Sequence, residues 1–440
     1  MTAQVLIKGD KKTANAWAFY DWANSVYPLV ISTAIFPIFY GSVTGQKNDA
    51  GEVINDTVHA FGVQFKNTEL MSYVMAASYL IVSIISPLLS GIADYSGNKK
   101  LYLKIFCYIG AISCMSLYFF DINHLEISLI PVLLASVGFW GSIVFYNSYL
   151  PEIAEEKDHD RISAKVYYLG YLGSAILLII CLGIVMGLGA QYTRWTFVLT
   201  GLWWLGFSQY TYYHLPGHSH EKIQEGNKFT KGFQELKKVW EQMQHISHLK
   251  KYLIAFFVYS MGVQTIMIMA TYFAEKEIIW TDGGETSGLI ISILIIQFIA
   301  IPGSWLHSKM SSKIGNINTL MCSVSLWVLL CVLAWFIHTP VQFYILAAYV
   351  GFIMGGIQAL SRSTYSKFLP DTTDHASFFS FYDVSEKIGL VIGTFSFGLI
   401  EGLTGSMRNS ILAVGLFFLV GLILLALVPK QTTKKAIQPI

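Results

Sequence analysis

Ser90 to Lys100 reads SGIADYSGNKK, a short polar break between two long apolar runs at roughly 70–93 and 101–120. Gly97 permits a sharp turn there, Asp94 places a carboxylate just ahead of it, and Lys99 and Lys100 follow it. A second break of this kind, HSKMSSKIGNINT, runs from His307 to Thr319. Aligning Gly97-Asn98 with Gly315-Asn316 gives an offset of 218. Tyr149-Leu150-Pro151 and Phe368-Leu369-Pro370 align at an offset of 219. Two independent landmarks that agree to within one residue indicate a duplicated unit.

The solvent follows from composition. The chain has 440 residues, 54% hydrophobic and 13% charged, and a mean hydropathy of +0.52. A soluble domain carries roughly 25% charged residues. About half that fraction points to a lipid solvent, and the 11 tryptophans and 25 tyrosines suit two membrane interfaces. A net charge of +2 with no basic stripe argues against nucleic acid. The five cysteines, Cys107, Cys114, Cys181, Cys322 and Cys331, sit in apolar runs with no CxxC pair. They read as small apolar packers, with neither a disulfide framework nor a metal site.

A spanning helix needs about 20 mostly apolar residues. Twelve runs qualify, at roughly 15–40, 70–93, 101–120, 127–149, 164–187, 194–214, 252–274, 286–308, 317–337, 341–361, 377–402 and 409–429. The first is too long for a signal-peptide core and lacks a small-residue cleavage site. The polar interval 215–251 divides the runs six and six. The expected organisation is an N-terminal bundle (1–214), a cytoplasmic linker (215–251) and a C-terminal bundle with a short tail (252–440). If the N-terminus is inside, 23 of the 29 Lys and Arg residues fall in inner segments. That asymmetry predicts cytoplasmic termini and a plasma (inner) membrane location. Within the linker, Phe229, Phe233, Leu236, Trp240, Met243, Ile246 and Leu249 recur with a helical period, with Lys231, Lys237, Lys238 and Lys250 between them. This predicts an amphipathic helix on the inner membrane face. His214, His218 and His220 ahead of it read as a solvated linker.

The loop SGIADYSGNKK resembles the signature loop of the major facilitator superfamily, in outline Gly-x-x-x-Asp-Arg-x-Gly-Arg-Lys. The matching positions are Ser90, Asp94, Tyr95, Gly97, Asn98 and Lys99, with Tyr95 in place of the usual base. The resemblance implies an inner-gate latch at Asp94, Gly97 and Lys99, the aspartate holding cationic or helix-N-terminal groups of the opposite half. In the second copy Ser312 takes the aspartate position, so a weaker latch is expected there.

Further stretches resemble one branch of that superfamily, the vacuolar amino-acid effluxers of autophagy and their bacterial relatives. They are AFYDWANSVY (Ala18–Tyr27), FYNSYLPEIA (Phe145–Ala154), LGYLGS (Leu169–Ser174), GVQT (Gly262–Thr265), GGIQALSRSTYSKFLP (Gly355–Pro370) and FFSFYDVSEKIG (Phe378–Gly389). The resemblance implies an all-α membrane protein, with twelve transmembrane helices in two pseudo-symmetric six-helix bundles, and amino-acid efflux as the activity. This chain departs from the pattern in span seven, where Tyr259-Ser260-Met261 precede Gly262 without an acid, and in span eleven, which carries Asp383 and Glu386.

Charges inside the spans are the candidate chemistry. A carboxylate at a helix centre costs about 2.5–3.5 kcal/mol on insertion scales. Asp21 lies roughly 10 Å into span one at 1.5 Å per residue. It binds a substrate amine, carries a coupling proton, or with Asn24 satisfies the first helical turns. Asp383 and Lys387 share a helix face at i,i+4, as a substrate or coupling pair or as a static lock. Glu401 reads as interfacial. Tyr27, Tyr146, Asn147, Gln264, Thr265, Gln297, Gln358 and Ser361 complete a candidate polar cavity, and all but Gln297 lie on spans one, four, seven and ten. Three GxxxG pairs, Gly183/Gly187, Gly351/Gly355 and Gly398/Gly402, predict close helix packing.

No GxxxxGK[ST], G-x-S-x-G or HExxH motif occurs, so ATP hydrolysis by a phosphate loop and two common hydrolase chemistries are not expected. The histidines cluster at span ends and loops, which leaves no buried acid–base dyad in view. The resulting expectation is a monomeric secondary active transporter without cofactor, working by alternating access in a lipid bilayer. Its partners are a small polar solute and protons, with amino-acid efflux as the finer reading. An importer of sugars, peptides or nucleosides on the same fold stays open, as does a non-transporting receptor or scaffold.

Overall fold

The computed structural model describes residues 8–47, 53–217, 228–280 and 285–429. Among these residues twelve long helices are α1 (Lys11–Thr44), α2 (Asn67–Ser96), α3 (Lys99–Ser116), α4 (Leu125–Asn147), α5 (His159–Leu188), α6 (Thr193–His214), α7 (Ser247–Glu277), α8 (Glu285–Ile314), α9 (Asn316–Phe336), α10 (Pro340–Phe368), α11 (His375–Thr404) and α12 (Met407–Ala426). A linker helix, Lys228–His245, precedes α7. Eleven of the twelve are long and apolar enough to cross a membrane. The other is α6, whose Trp, Tyr, Thr and Gln side chains lower its mean hydropathy. It packs against α1 and α3 nonetheless.

Helices outlast the apolar runs that announce them. Run eight ends near 308 and run ten near 361, yet α8 continues to Ile314 and α10 to Phe368. Backbone chemistry stops them, since Gly315 at φ 83° follows α8 and Leu369-Pro370 follows α10. Gly97 at φ 66° does the same for α2, and its N–H donates to Ala93 and Asp94 carbonyls. Asn98 then caps α3 by accepting from Leu101 N–H at 3.3 Å. The Gly-Asn landmark is therefore a helix stop followed by a helix start. The linker period also breaks sooner than its apolar residues suggest. The linker helix ends at His245, Ile246 is non-helical, and Leu249 is buried in α7. His218 and His220 lie outside the described residues.

Two features have no counterpart in the sequence pattern. First, α1 is not uniform. Lys11–Asn24 and Ile35–Thr44 are α-helical, and Tyr27–Ala34 between them is a π-helix entered at Pro28. Proline lacks an N–H and disturbs the regular ladder, and π-segments gather at functional sites. Second, the α1–α2 connection carries two small antiparallel hairpins. One pairs β1 (Gln46–Lys47) with β2 (Val53–Asn55), the other β3 (Thr57–Ala60) with β4 (Val63–Lys66).

By packing, the described residues form two compact units within these ranges. One contains Met1–Asp158, Lys165–Trp240 and Asp371–Lys387; the other His159–Ala164, Glu241–Pro370 and Ile388–Ile440. The helix pairs repeat between sequence halves. α1–α6, α3–α6, α3–α4 and α2–α4 contacts recur as α7–α12, α9–α12, α9–α10 and α8–α10. The first unit's core holds Trp17, Tyr20, Tyr146, Phe145 and Trp204, and the second's holds Tyr252, Tyr259, Trp327 and Phe418.

The three GxxxG pairs divide. A Cβ on Gly351 or Gly355 would stand 2.5 Å from the Ile296 or Ala300 carbonyl, so α10 meets α8 backbone to backbone. Gly183, Gly187, Gly398 and Gly402 have open space where a Cβ would go. The expected close packing at those four glycines is corrected accordingly: the spacing is right, but among the described residues nothing lies within 4 Å of where their Cβ atoms would stand.

Candidate functional site

In the first unit, α1 turns Asp21 toward α5. Asp21 is 7% exposed, and a Cβ on Gly170 would lie 2.2 Å from its Oδ2. Gly173, one turn on, meets the Trp22 carbonyl in the same way at 2.8 Å. The glycines of LGYLGS thus let α5 touch α1 along the segment that carries Asp21. Asn24 is fully buried, and its side-chain O and N have no hydrogen-bond partner among the described residues. Tyr27 opens the π-segment and packs its ring 5.2 Å from Phe139 and 6.0 Å from Trp204. Tyr146 stacks on Trp17 at 4.7 Å, and the Trp17 indole N–H donates to the Tyr146 carbonyl at 2.8 Å. Asn147, next along α4, is also buried.

The start of α11 belongs to this unit and brings its own charges. Asp383 and Lys387 form an i,i+4 ion pair, each residue only 2% exposed. Neither Asp383 oxygen nor the Lys387 ammonium has a well-aligned hydrogen-bond partner among the described residues. The ammonium sits 4.7 Å from the centre of the Trp140 ring on α4, within cation–π range. Nothing in the pattern of charges singled out Trp140; one tryptophan among eleven carries no sequence signal.

In the second unit the polar candidates are dispersed. Thr265 is fully buried against Gly393, where a Cβ would stand 2.1 Å from its Oγ1. Gln358 reaches the Met267 sulfur at 3.5 Å. Gln264, beside Thr265, is half-buried. Ser361 is already engaged, its Oγ at 2.7 Å from the Tyr259 hydroxyl and its carbonyl accepting from Tyr252 at 2.7 Å. Tyr252, Tyr259 and Ser361 therefore tie α7 to α10.

The loop residues join a junction in the first unit. The two Asp94 oxygens accept from Ala376 N–H at 3.1 Å and Ser377 N–H at 2.7 Å. These are orphan donors in the first turn of α11, where a negative charge is favoured. Lys99 pairs with Glu152 and lies 4.7 Å from the Tyr149 ring centre. Glu152 also meets His375 Nδ1 at 3.0 Å, and Lys238 of the linker helix reaches Asp374 at 2.9 Å. Gly97 contributes the turn that sets Lys99 three residues beyond the end of α2. A buried His–carboxylate contact at His375 and Glu152 differs from the expectation that histidines leave no such pair. His375 does sit at a span end, but the end is covered.

The second unit builds a comparable junction around Asp160, in the first turn of α5. It accepts from Lys367 Nζ at 2.7 Å, Asn316 Nδ2 at 2.7 Å and Ser311 Oγ at 2.8 Å. Arg362 adds bonds to Ser163 Oγ at 3.0 Å and to its carbonyl at 3.2 Å. Ser312, aligned with Asp94, is exposed, and among the described residues its hydroxyl bonds only within its own helix, to Lys309 O. Helix phase is the reason, because its neighbour Ser311 faces Asp160. Sequence alignment pointed at the right turn of α8 and the wrong residue.

Known proteins share this architecture. The family model described as "Vacuole effluxer Atg22 like" matches residues 9–438. An uncharacterized MFS-type transporter of Bacillus subtilis, YxiO, is 30% identical over 437 residues, covering 97% of each chain. Autophagy-related protein 22-1 of Aspergillus fumigatus is 21% identical, covering 97% of this chain and 91% of that protein. Among solved structures, the Escherichia coli fucose:proton symporter FucP superposes with a TM-score of 0.66 at 14% identity, over 96% of this chain and 98% of that one. The proton:xylose symporter XylE gives 0.62 at 12%, over 95% of each. The fold is the all-α major facilitator fold of two pseudo-symmetric six-helix bundles, and the protein is an integral membrane transporter, not an enzyme. The chain belongs to the Atg22-like vacuole effluxer family of major facilitator transporters.

Proposed function

We propose that this transporter moves amino-acid zwitterions outward across the plasma membrane by alternating access, coupled to protons. The observation that carries this reading is the buried Asp383–Lys387 pair beside Trp140. A buried pair has already lost its water. A zwitterion offers a carboxylate to Lys387 and an ammonium to Asp383, so it can exchange one intrahelical ion pair for two intermolecular ones. The Trp140 ring face favours a cation at the same place. A neutral sugar offers no such exchange.

Asp21 serves as the proton carrier in this reading, supported by its burial against Gly170 on the helix that also bears the π-segment. Asn24, Tyr27, Tyr146 and Asn147 are the further polar candidates of the first unit; Gln264, Thr265 and Gln358 are those of the second. The junctions at Asp94 and Asp160 act as gates that release on opening. Cytoplasmic termini are part of the reading and rest on the Lys and Arg asymmetry.

The test is uptake of a labelled amino-acid mixture into proteoliposomes, with and without an imposed pH gradient, for the wild type and Asp21→Asn. Gradient-driven uptake that the substitution abolishes supports both parts of the proposal. Flux equal to empty liposomes from folded protein removes amino acids as the substrate. Wild-type uptake in the variant removes Asp21 from coupling.

A further inference from the structure

The hairpin β3–β4 closes on the two-residue loop Phe61-Gly62, between the paired residues Ala60 and Val63. Both loop residues have positive φ, 52° and 74°. Such loops favour Asn, Asp or Gly at their first position, and a bulky side chain there is an outlier. Phe61 is the only non-glycine residue with positive φ among the described residues. Strain of this kind persists only where the surroundings hold it. Here the Phe61 N–H donates to Glu126 Oε1 at 3.0 Å, in the first turn of α4. The backbone is pinned, and the ring points away from the protein, 69% exposed. Val63 beside it is 52% exposed, whereas Val58 and Ala60 are buried.

Glu126 fixes the level of the tip. It stands where α4, a membrane-length helix, begins. The next exposed residues on α4 are Ile127 and Ile130, apolar side chains on its outward face. At the same end of this unit Phe119 is 78% exposed after α3, and the Tyr118 and Trp195 rings meet at 5.0 Å at the start of α6. Aromatic side chains gathered at one end of spanning helices mark a membrane–water interface.

We propose that the β3–β4 tip is a membrane anchor. Phe61 and Val63 enter the headgroup–acyl boundary of the leaflet at this end, continuous with the lipid-facing surface of α4. The Glu126 bond sets the tip's depth. The occupant is lipid, recognised by apolar contact alone, so neutral phosphatidylcholine suffices. A hairpin anchored this way steadies the α1–α2 connection against the bilayer.

Site-directed spin labelling tests the anchor. Cys322 is exposed and the other four cysteines are buried, so Cys322→Ser provides the background. Nitroxides are placed at Phe61→Cys, Val63→Cys and, as the solvent control, the exposed His59→Cys. Each variant of the full chain is reconstituted in phosphatidylcholine vesicles. Collisions with oxygen should exceed those with a water-soluble nickel chelate several-fold at 61 and 63, with the order reversed at 59. Nickel access at 61 and 63 equal to that at 59 overturns the anchor. If Phe61→Cys does not fold, the same comparison between Val63→Cys and His59→Cys decides between anchor and free loop.

Discussion

Arg194 and Arg408 occupy equivalent places in the two units and make equivalent contacts. Each is the second residue of the last helix of its sequence half, α6 or α12. Arg194 donates to the Tyr118 carbonyl at 3.0 Å and lies 5.4 Å from the Phe39 ring centre. Arg408 donates to the Trp335 and Ile337 carbonyls at 2.6 and 2.8 Å and lies 5.7 Å from the Phe273 ring centre. In both units a guanidinium satisfies carbonyls left open beyond the third helix of the half and rests on a phenylalanine from the end of the first. Arg408 does more, since it also bonds the Glu277 carboxylate at 2.8 Å and carbonyl at 3.0 Å.

Arg408→Ala should therefore destabilise the protein more than Arg194→Ala. Hydrogen bonds to charged groups contribute about 1.5–3 kcal/mol each, and Arg408 holds more of them. Arg408→Lys should restore little, because an ammonium cannot reproduce the planar fork. Thermal unfolding in detergent gives the ranking. Equal losses at the two arginines would contradict it.

The two junctions should fail by different amounts. Asp94→Ala removes an acceptor for two helix-start N–H groups, a loss of about 0.5–2 kcal/mol. Asp160→Ala strands the ammonium of Lys367 in a mostly buried site, where breaking a pair costs about 3–5 kcal/mol. Unfolding midpoints of the purified variants should fall in that order. Asp160→Ala paired with Lys367→Met should recover most of the loss.

The linker helix meets α2 without side chains between them. A Cβ on Gly91 would stand 2.3 Å from the Gly232 carbonyl. Gly91→Ala should lift the linker helix from α2 and part Lys238 from Asp374. Limited proteolysis within the linker should then quicken. Gly217→Ala, where a Cβ meets nothing, should leave the rate unchanged.

Gly170 constrains Asp21 in a comparable way. Gly170→Ala should cost about 1–3 kcal/mol by overpacking and displace the Asp21 carboxylate, with a matching loss of flux. Gly183→Ala, on the same helix with open space around it, should be neutral or gain about 0.5–1 kcal/mol from helix propensity. Flux unchanged in Gly170→Ala would show that the position of Asp21 does not matter to transport.

The sequence carried much of this architecture, because apolar run length and Lys/Arg placement are one-dimensional signals. Gly97 and Gly315 could be read as turns since glycine is the residue that takes positive φ freely. Helix ends were misplaced where polarity and backbone chemistry disagree, as at Ile314 and Phe368. The carboxylates within spans, Asp21 and Asp383, stood out by their cost. The partners did not. Trp140, Glu152, Asp160 and His375 acquire meaning only from contacts across 100 or more residues in most cases, and no periodicity encodes those. Arg362 and Lys367 lie inside the quoted GGIQALSRSTYSKFLP but past the end of apolar run ten, and only the continuation of α10 to Phe368 carries them to Ser163 and Asp160.

In the proposed mechanism Asp383 and Lys387 receive the solute. The most direct measurement is amino-acid exchange in proteoliposomes by wild type, Lys387→Met and the double variant Asp383→Asn/Lys387→Met. A static lock needs only that no charge be left unpaired, and replacing both partners of a buried pair by neutral groups is often harmless. If the pair receives the solute, the single and double variants both lose exchange while remaining folded. Wild-type exchange in the double variant, with loss only in the single one, would contradict it and make the pair structural.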